Sequence, residues 1–259
     1  MVILAGRARA KSRASLLFIP PLLAVAFFPA SSPAQTPKAA PLDPVVVTAA
    51  RGPQAIEDLL ADVTVIGPDE IARSGADSLA RLLSRQPGIE LVQNGGPASV
   101  SGVFIRGANR QQTVVLIDGI RLESATAGAA TLEAIPLDQI ERIEILRGPA
   151  SSLYGADAIG GVIQVFTRRG GDAFTANASA GYGTYSTAQG SAGASGRAGP
   201  MRYAIQVGGQ RSDGFNAIVD PANFAWDPDR DGYRAENVSA SVGVDWAKDQ
   251  SLGGRYFRN

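Results

Sequence analysis

Phe174-Thr175-Ala176-Asn177-Ala178-Ser179-Ala180-Gly181-Tyr182 decides the fold. In an extended chain the side chains alternate between two faces, so Phe, three alanines and Tyr fall on one side and Thr, Asn, Ser and Gly on the other. The pattern returns in Met201, Tyr203, Ile205 and Val207 against Arg202, Ala204, Gln206 and Gly208. It returns again in Val238, Ala240, Val242, Val244 and Trp246 against Asn237, Ser239, Ser241, Gly243 and Asp245. A soluble sandwich also alternates, but its core face would carry more Leu, Ile and Phe. A modest apolar face, a small polar face and aromatics near the strand ends (Tyr182, Tyr203, Tyr233, Trp246) predict a transmembrane β-barrel wall.

Working backwards, the texture changes at Arg168-Arg169-Gly170-Gly171. Before it lie short mixed elements. Val63 to Ile66, Ile89 to Val92, Val103 to Arg106, Thr113 to Ile117, Ile140 to Leu146 and Val162 to Phe166 are predicted strands, and Asp118-Gly119 is predicted to be a tight hairpin turn. Gly67-Pro68-Asp69-Glu70 has helix-start chemistry. Asp77 is the expected cap of a second helix carrying Leu79, Leu82 and Leu83 on one face, and Gln86-Pro87-Gly88 should end it. Residues 56–168 thus form a compact α+β domain large enough for a small core.

Further back, Arg7, Arg9, Lys11 and Arg13 precede an apolar run, Leu16 to Phe28, and then Ser32-Pro33-Ala34, a small-x-Ala cleavage pattern. That is the layout of a secretory signal peptide over residues 1–34. A membrane anchor would need about 20 apolar residues, and this run is shorter and holds Pro20 and Pro21. Residues 35–55 are rich in proline and small residues, a mobile tail, except for Asp43-Pro44-Val45-Val46-Val47-Thr48-Ala49. Its three β-branched residues suit either an edge strand of the next domain or a recognition strand that adds to a partner's sheet.

Composition excludes several functions. The 259 residues contain no His and no Cys, which removes Ser-His-Asp and Cys-His nucleophile systems, thiolate or imidazole zinc sites and disulfides. Any metal must be held by oxygen, and no enzyme is expected. Lys and Arg total 24 against 24 Asp and Glu, and beyond residue 34 the count is 20 against 24, so nothing favours nucleic acid as a partner.

The local motifs are more specific. Phe104-Ile105-Arg106-Gly107, Val115-Leu116-Ile117-Asp118-Gly119, Ile140-Glu141-Arg142-Ile143-Glu144, Leu146-Arg147-Gly148-Pro149, Leu153-Tyr154-Gly155 and Ala158-Ile159-Gly160-Gly161-Val162-Ile163 resemble, in order and spacing, the plug domain of TonB-dependent outer-membrane receptors. Within that family the chain is most similar to the cobalamin (vitamin B12) receptors. Asp43 to Ala49 is similar to their TonB box except at Pro44 and Val45, and Gln93-Asn94-Gly95-Gly96 matches their plug. The resemblance implies an α+β plug followed by the first four to five strands of an antiparallel barrel, at residues 169–259. It implies an outer-membrane location and lipid contact. Cobalamin, or in the near alternative a ferric siderophore, would bind at the plug apex. TonB, energised by the inner-membrane proton-motive force, would pair with the box and pull. A soluble periplasmic binding module is the reading from another class.

The resemblance carries ligand contact to Val100, Gly102, Asn109, Thr126 and Ala127. Arg106, Arg121, Glu144 and Arg147, lying in or beside apolar strands, are expected to pair inside the plug or against the wall. Gly155 to Gly161 lacks the Lys-Ser/Thr of a phosphate loop and is assigned a turn. Asp227-Pro228-Asp229-Arg230-Asp231-Gly232 alternates hard oxygen ligands suited to Ca²⁺. Val238 stands where an EF-hand needs its bidentate Glu, so this is no EF-hand; it resembles the family's calcium loop, to which Asn216 would add an amide. Residues 172–259 provide far fewer strands than barrel closure needs, so the chain is expected to be an N-terminal portion of a receptor.

Overall fold

The computed structural model describes residues 45–46, 48–49, 52, 54–96, 98–124, 128–247 and 250–259. The signal-peptide assignment, Asp43, Pro44 and Val47 of the box, and the candidate ligand residues Thr126 and Ala127 lie outside them. In chain order the elements are β1 (Val45–Val46), β2 (Gln54–Ala55), β3 (Asp62–Ile66), α1 (Pro68–Ser74), α2 (Leu79–Leu83), β4 (Ile89–Gln93), β5 (Ser101–Ile105), β6 (Thr113–Ile117), β7 (Ile120–Arg121), β8 (Ile140–Arg147), α3 (Ser151–Tyr154) and β9 (Gly161–Thr167). The longer β10 (Thr175–Gly183), β11 (Thr187–Ala198), β12 (Met201–Ser212), β13 (Tyr233–Ala247) and β14 (Gln250–Arg258) follow.

The first part is built on a five-stranded mixed sheet in the order β3-β8-β9-β6-β7. β8 and β9 lie in its middle and read as near-continuous apolar runs because both faces are covered. On one face Ile143, Ile145, Ile163 and Val165 pack with Ile105, Ile66 and the leucines of α2. Each fully buried aliphatic side chain of this kind contributes about 1.5–3 kcal/mol. On the other face Val114, Leu116, Leu146 and Val162 make a smaller cluster with Ala150 and Ala158. The Asp118-Gly119 turn joins β6 to β7 with both residues at positive φ, 50° and 88°, the geometry that matches the twist of a tight hairpin. One expected cap moves by a residue. Ser78, not Asp77, caps α2, its hydroxyl accepting from the Arg81 N–H at 3.4 Å, while Asp77 accepts from the Ser78 hydroxyl and pairs with Arg81. The shorter Ser side chain reaches the helix end from the extended backbone that a cap requires.

The second part is an antiparallel five-stranded sheet, β10 to β14 in sequence order, an open stretch of wall. Its burial is inverted relative to a soluble sheet. Ile205, Val207, Val242 and Val244 are exposed, whereas Ala204, Gln206 and Asn237 on the opposite face are buried against the first part. The register places Arg202, Ala204 and Gln206 beside Gly243, Ser241 and Ser239, so one polar face is continuous from strand to strand. A wall that turns its polar face to a plug and its apolar face outward suits lipid, not water. Val242→Arg, placing a charge mid-strand on that outer face, is therefore expected to cost about 2–4 kcal/mol of folding in lipid vesicles. The same change at Val219, in the exposed loop between β12 and β13, should be neutral; equal costs would refute the outward assignment.

The seam between plug and wall is polar. Gln139 donates to Asn237 at 2.7 Å, and Asp138 comes so close to Gly208 that a Cβ there would lie 2.7 Å from its carboxylate. Burial pushes the Asp138 carboxyl above its ordinary range, against the lowering effect of its hydrogen bonds and of Arg168. Arg255 of the wall pairs with Asp118 of the plug turn.

Candidate ligand apex and TonB box

The candidate ligand positions sit on three plug segments, two of which are described. Val100 closes the loop between β4 and β5 and is 65 % exposed. Gly102 is buried within β5, and a Cβ placed there would meet the Phe104 ring at 3.1 Å and the Arg110 side chain at 3.5 Å. Asn109 is exposed at the start of a single 3-10 turn, its N–H donating to Gln112 Oε1 at 2.9 Å and its carbonyl accepting from the Gln112 N–H at 2.7 Å. Just after the third segment, a Cβ on Gly128 would lie 3.6 Å from Gln111. The turn at residues 110–112 is thus the meeting point of the segments bearing Val100, Gly102 and Asn109 with the one that follows Thr126-Ala127. The Ser101 hydroxyl, donating to Glu133 at 3.0 Å, ties a further loop to the same end.

The long loop of the wall reaches this end too, since a Cβ on Gly95 would lie 4.0 Å from that of Ala217. Its Phe215 ring stands 5.2 Å from that of Tyr185 in the turn between β10 and β11. The carboxylates do not converge. Asp231 accepts from the Ala217 N–H at 2.9 Å, Asp227 from the Asp229 N–H at 3.4 Å, and Asn216 donates to the Asp227 carbonyl while accepting from Ile218 N–H. Among the described residues no group of three or more acidic side chains is gathered as a cation cage. As arranged, Asn216, Asp227 and Asp231 bond the loop's own backbone, and together with Asp229 they do not fit a preformed calcium site.

The box lies elsewhere. Val45 and Val46 pair with Ala55 and Gln54 in a two-stranded sheet. Thr48 is fully buried on the second face of the central sheet, where its N–H and its hydroxyl both donate to Glu144 Oε2 at 2.9 and 2.7 Å. The Tyr154 hydroxyl donates to the Thr48 carbonyl at 2.8 Å. Glu144, wholly buried, is also held by Arg142 at 3.0 Å, whose guanidinium stacks 3.8 Å over Phe166. Of the other charged residues, Arg147 pairs with Asp62 and donates to the Pro87 carbonyl, Arg106 pairs with Asp62, and Arg121 with Glu123 and Asp157.

Residues 55–162 match the family model of the TonB-dependent receptor plug domain. The match spans the α+β domain built on the central sheet and ends before the wall. The chain belongs to the TonB-dependent receptor family. It is similar to the vitamin B12 transporter BtuB of Photobacterium profundum, 38% identical over 228 residues, covering 86% of this chain and 36% of the relative. It is also similar to that of Vibrio vulnificus, 48% identical over 125 residues, covering 48% of this chain and 20% of the relative. The receptor chain therefore spans about a third of the length of the first of these. Among solved structures, the ferric enterobactin receptor PfeA of Pseudomonas aeruginosa aligns with a TM-score of 0.62 at 24% identity, covering 82% of this chain and 34% of that one. The ferric yersiniabactin uptake receptor FyuA of Yersinia pestis aligns at 0.57 with 21% identity, covering 71% and 29%. At those identities the alignments establish the shared plug-and-wall fold.

Proposed function

We propose that this receptor chain serves outer-membrane uptake of a cobalamin, binding it at the apex formed by Val100, Gly102, Asn109 and the segment at Thr126-Ala127. The observation that carries the proposal is the convergence on one turn at residues 110–112 of the segments bearing Val100, Gly102 and Asn109 with the one that follows Thr126-Ala127, the long wall loop approaching the same end at Gly95. Similarity to vitamin B12 transporters over most of the chain supports cobalamin over a ferric siderophore. Delivery of energy falls to TonB. Strand addition to Val45–Val47 satisfies the backbone of an extended segment and reads its side chains, and it requires Thr48 to leave Glu144, so force applied there reaches the central strand of the plug.

The test is a titration of the purified protein with cyanocobalamin and, separately, with ferric enterobactin. Saturable binding of cyanocobalamin is expected, weakened about tenfold or more by Val100→Asp, which sets a desolvated charge against an apolar ligand face. Saturable siderophore binding with none for cyanocobalamin would reassign the ligand. Repeating the titration with calcium chelated decides whether the loop bearing Asp227, Asp229 and Asp231 needs a cation to bind.

A further inference from the structure

Between the plug and the inward face of β12, β13 and β14 lies a cavity of about 650 Å³, within the range of small-molecule sites. Its charged lining consists of Arg121, Arg168, Arg169, Arg202 and Arg255 against the single carboxylate of Asp118. The small wall residues Ser241, Gly243 and Gly253 leave the space open. Asp118 is already divided between Arg169, at 3.3 Å, and Arg255, and it also takes the Thr167 hydroxyl at 2.5 Å. The carboxylates answering Arg121 and Arg202, namely Glu123, Asp157 and Asp245, stand outside the lining. No carboxylate stands within ion-pair distance of Arg168 among the described residues, although its charge acts on the nearby Asp138 carboxyl. Its Nε donates to the Asp138 carbonyl at 3.0 Å, and among the described residues its two terminal amines have no hydrogen-bond partner.

The position gives the lining a direction. Arg202 follows the short turn at Gly199-Pro200, and a Cβ on Gly170 would run into the backbone of Gly196 and Tyr203, so this part of the lining borders the short-turn end of the wall, away from the long loop that meets the apex. A ligand passing from the apex between plug and wall toward that end would meet these guanidinium groups. Planar guanidinium forks in a partly enclosed space favour an anionic oxygen group, above all a phosphate, which they can engage in bidentate fashion.

We propose that this cavity is an anion-binding way station, in which Arg168, Arg169 and Arg202 take the phosphodiester of a cobalamin-class ligand on its way past the plug. The ligand identity rests on the reading given under Proposed function; the anion chemistry does not. Dimethyl phosphate, a free phosphodiester, is therefore the first probe, titrated into the purified protein. Saturable binding is expected, weakened about tenfold or more in Arg168→Gln/Arg202→Gln through loss of two charged donors. It should be weakened less in Arg168→Lys/Arg202→Lys, which keeps the charges but not the bidentate forks, and retained in Arg234→Gln, which removes an exposed arginine near the long loop. Binding that does not saturate, or that survives the double Gln change, overturns the site. The second readout is uptake by producing cells of cobalamin and of cobinamide, which lacks the nucleotide phosphodiester. The double Gln variant should slow cobalamin uptake about tenfold, by the same energetic reckoning, leave cobinamide uptake unchanged, and leave apex affinity for both intact. Equal slowing of both corrinoids overturns the assignment to cargo. Failure of the protein to bind cobalamin at all, with dimethyl phosphate binding intact, instead removes the reading under Proposed function.

Discussion

Glu144→Ala is expected to free the segment around Thr48 and expose the chain after Arg51 to trypsin. The wild-type carboxylate is buried in β8 and receives two hydrogen bonds from Thr48, one from N–H and one from hydroxyl. Bonds to a charged acceptor contribute about 1.5–3 kcal/mol each, so their joint loss is worth about 3 kcal/mol and raises the released population about 100-fold. Cleavage follows that population while opening and closing outpace the protease. The rest of the plug should stay folded, because Arg142 keeps its place over Phe166 and its side chain is 29% exposed, so the lost counter-ion is partly replaced by water. Glu144→Gln keeps one neutral acceptor and should give an intermediate rate. If trypsin cuts all three proteins equally after Arg51, with equal melting curves, Thr48 is not docked on Glu144. Under the proposed function the Ala variant would present its box to TonB without waiting for ligand, and uptake would lose its dependence on occupancy of the apex.

This docking was not legible in the chain, and the reason is physical. The box and Glu144 lie 96 residues apart, and neither a valine run nor an acid in an apolar strand names its partner. Periodicity, by contrast, is a local property. The alternation from Phe174 to Tyr182 and from Met201 to Gly208 is enough to fix which face turns outward, because a shift of one residue would bury every polar group in lipid. The hairpin at Asp118-Gly119 was equally readable, since few residue pairs tolerate positive φ at both positions. The cap of α2 depended on one residue of placement between Asp77 and Ser78, and pattern alone does not resolve that. The acid spacing from Asp227 to Asp231 suggested a cation because alternation in an extended segment puts carboxylates on one side. The folded loop turns instead, and the Asp227 and Asp231 carboxylates each take a nearby N–H. The arginine-lined cavity had no signature in the chain at all: Arg121, Arg168, Arg202 and Arg255 come from separate elements brought together by docking.

Gly161→Ala should be the most damaging single-methyl change in the plug. Gly161 opens β9, the strand hydrogen-bonded to β8 on one side and β6 on the other, and it stands opposite both Arg147 and Thr113. Its φ of 156° is one that side chains rarely adopt, and a Cβ would lie 2.3 Å from the Leu146 carbonyl oxygen and 3.1 Å from Ile105 Cδ1. The first of these is backbone and cannot rotate away. Strain and overpacking together are expected to cost about 3 kcal/mol or more, and at about 4–8 °C per kcal/mol for a domain near this size the plug should melt more than about 10 °C lower. The comparison is Gly67→Ala, where φ is −85° and no atom lies within 4 Å of the new methyl, so stability should be nearly unchanged. The defect should also reach the apex. The Gly160 N–H donates to the Gln112 carbonyl at 2.9 Å, and a Cβ on Gly160 itself would crowd Ala108, so displacing β9 moves the turn on which the ligand segments converge. Cyanocobalamin affinity should therefore fall with stability in Gly161→Ala and hold in Gly67→Ala; a Gly161→Ala protein with wild-type melting would mean that β8 yields at Leu146 and that the central sheet is softer than its packing implies.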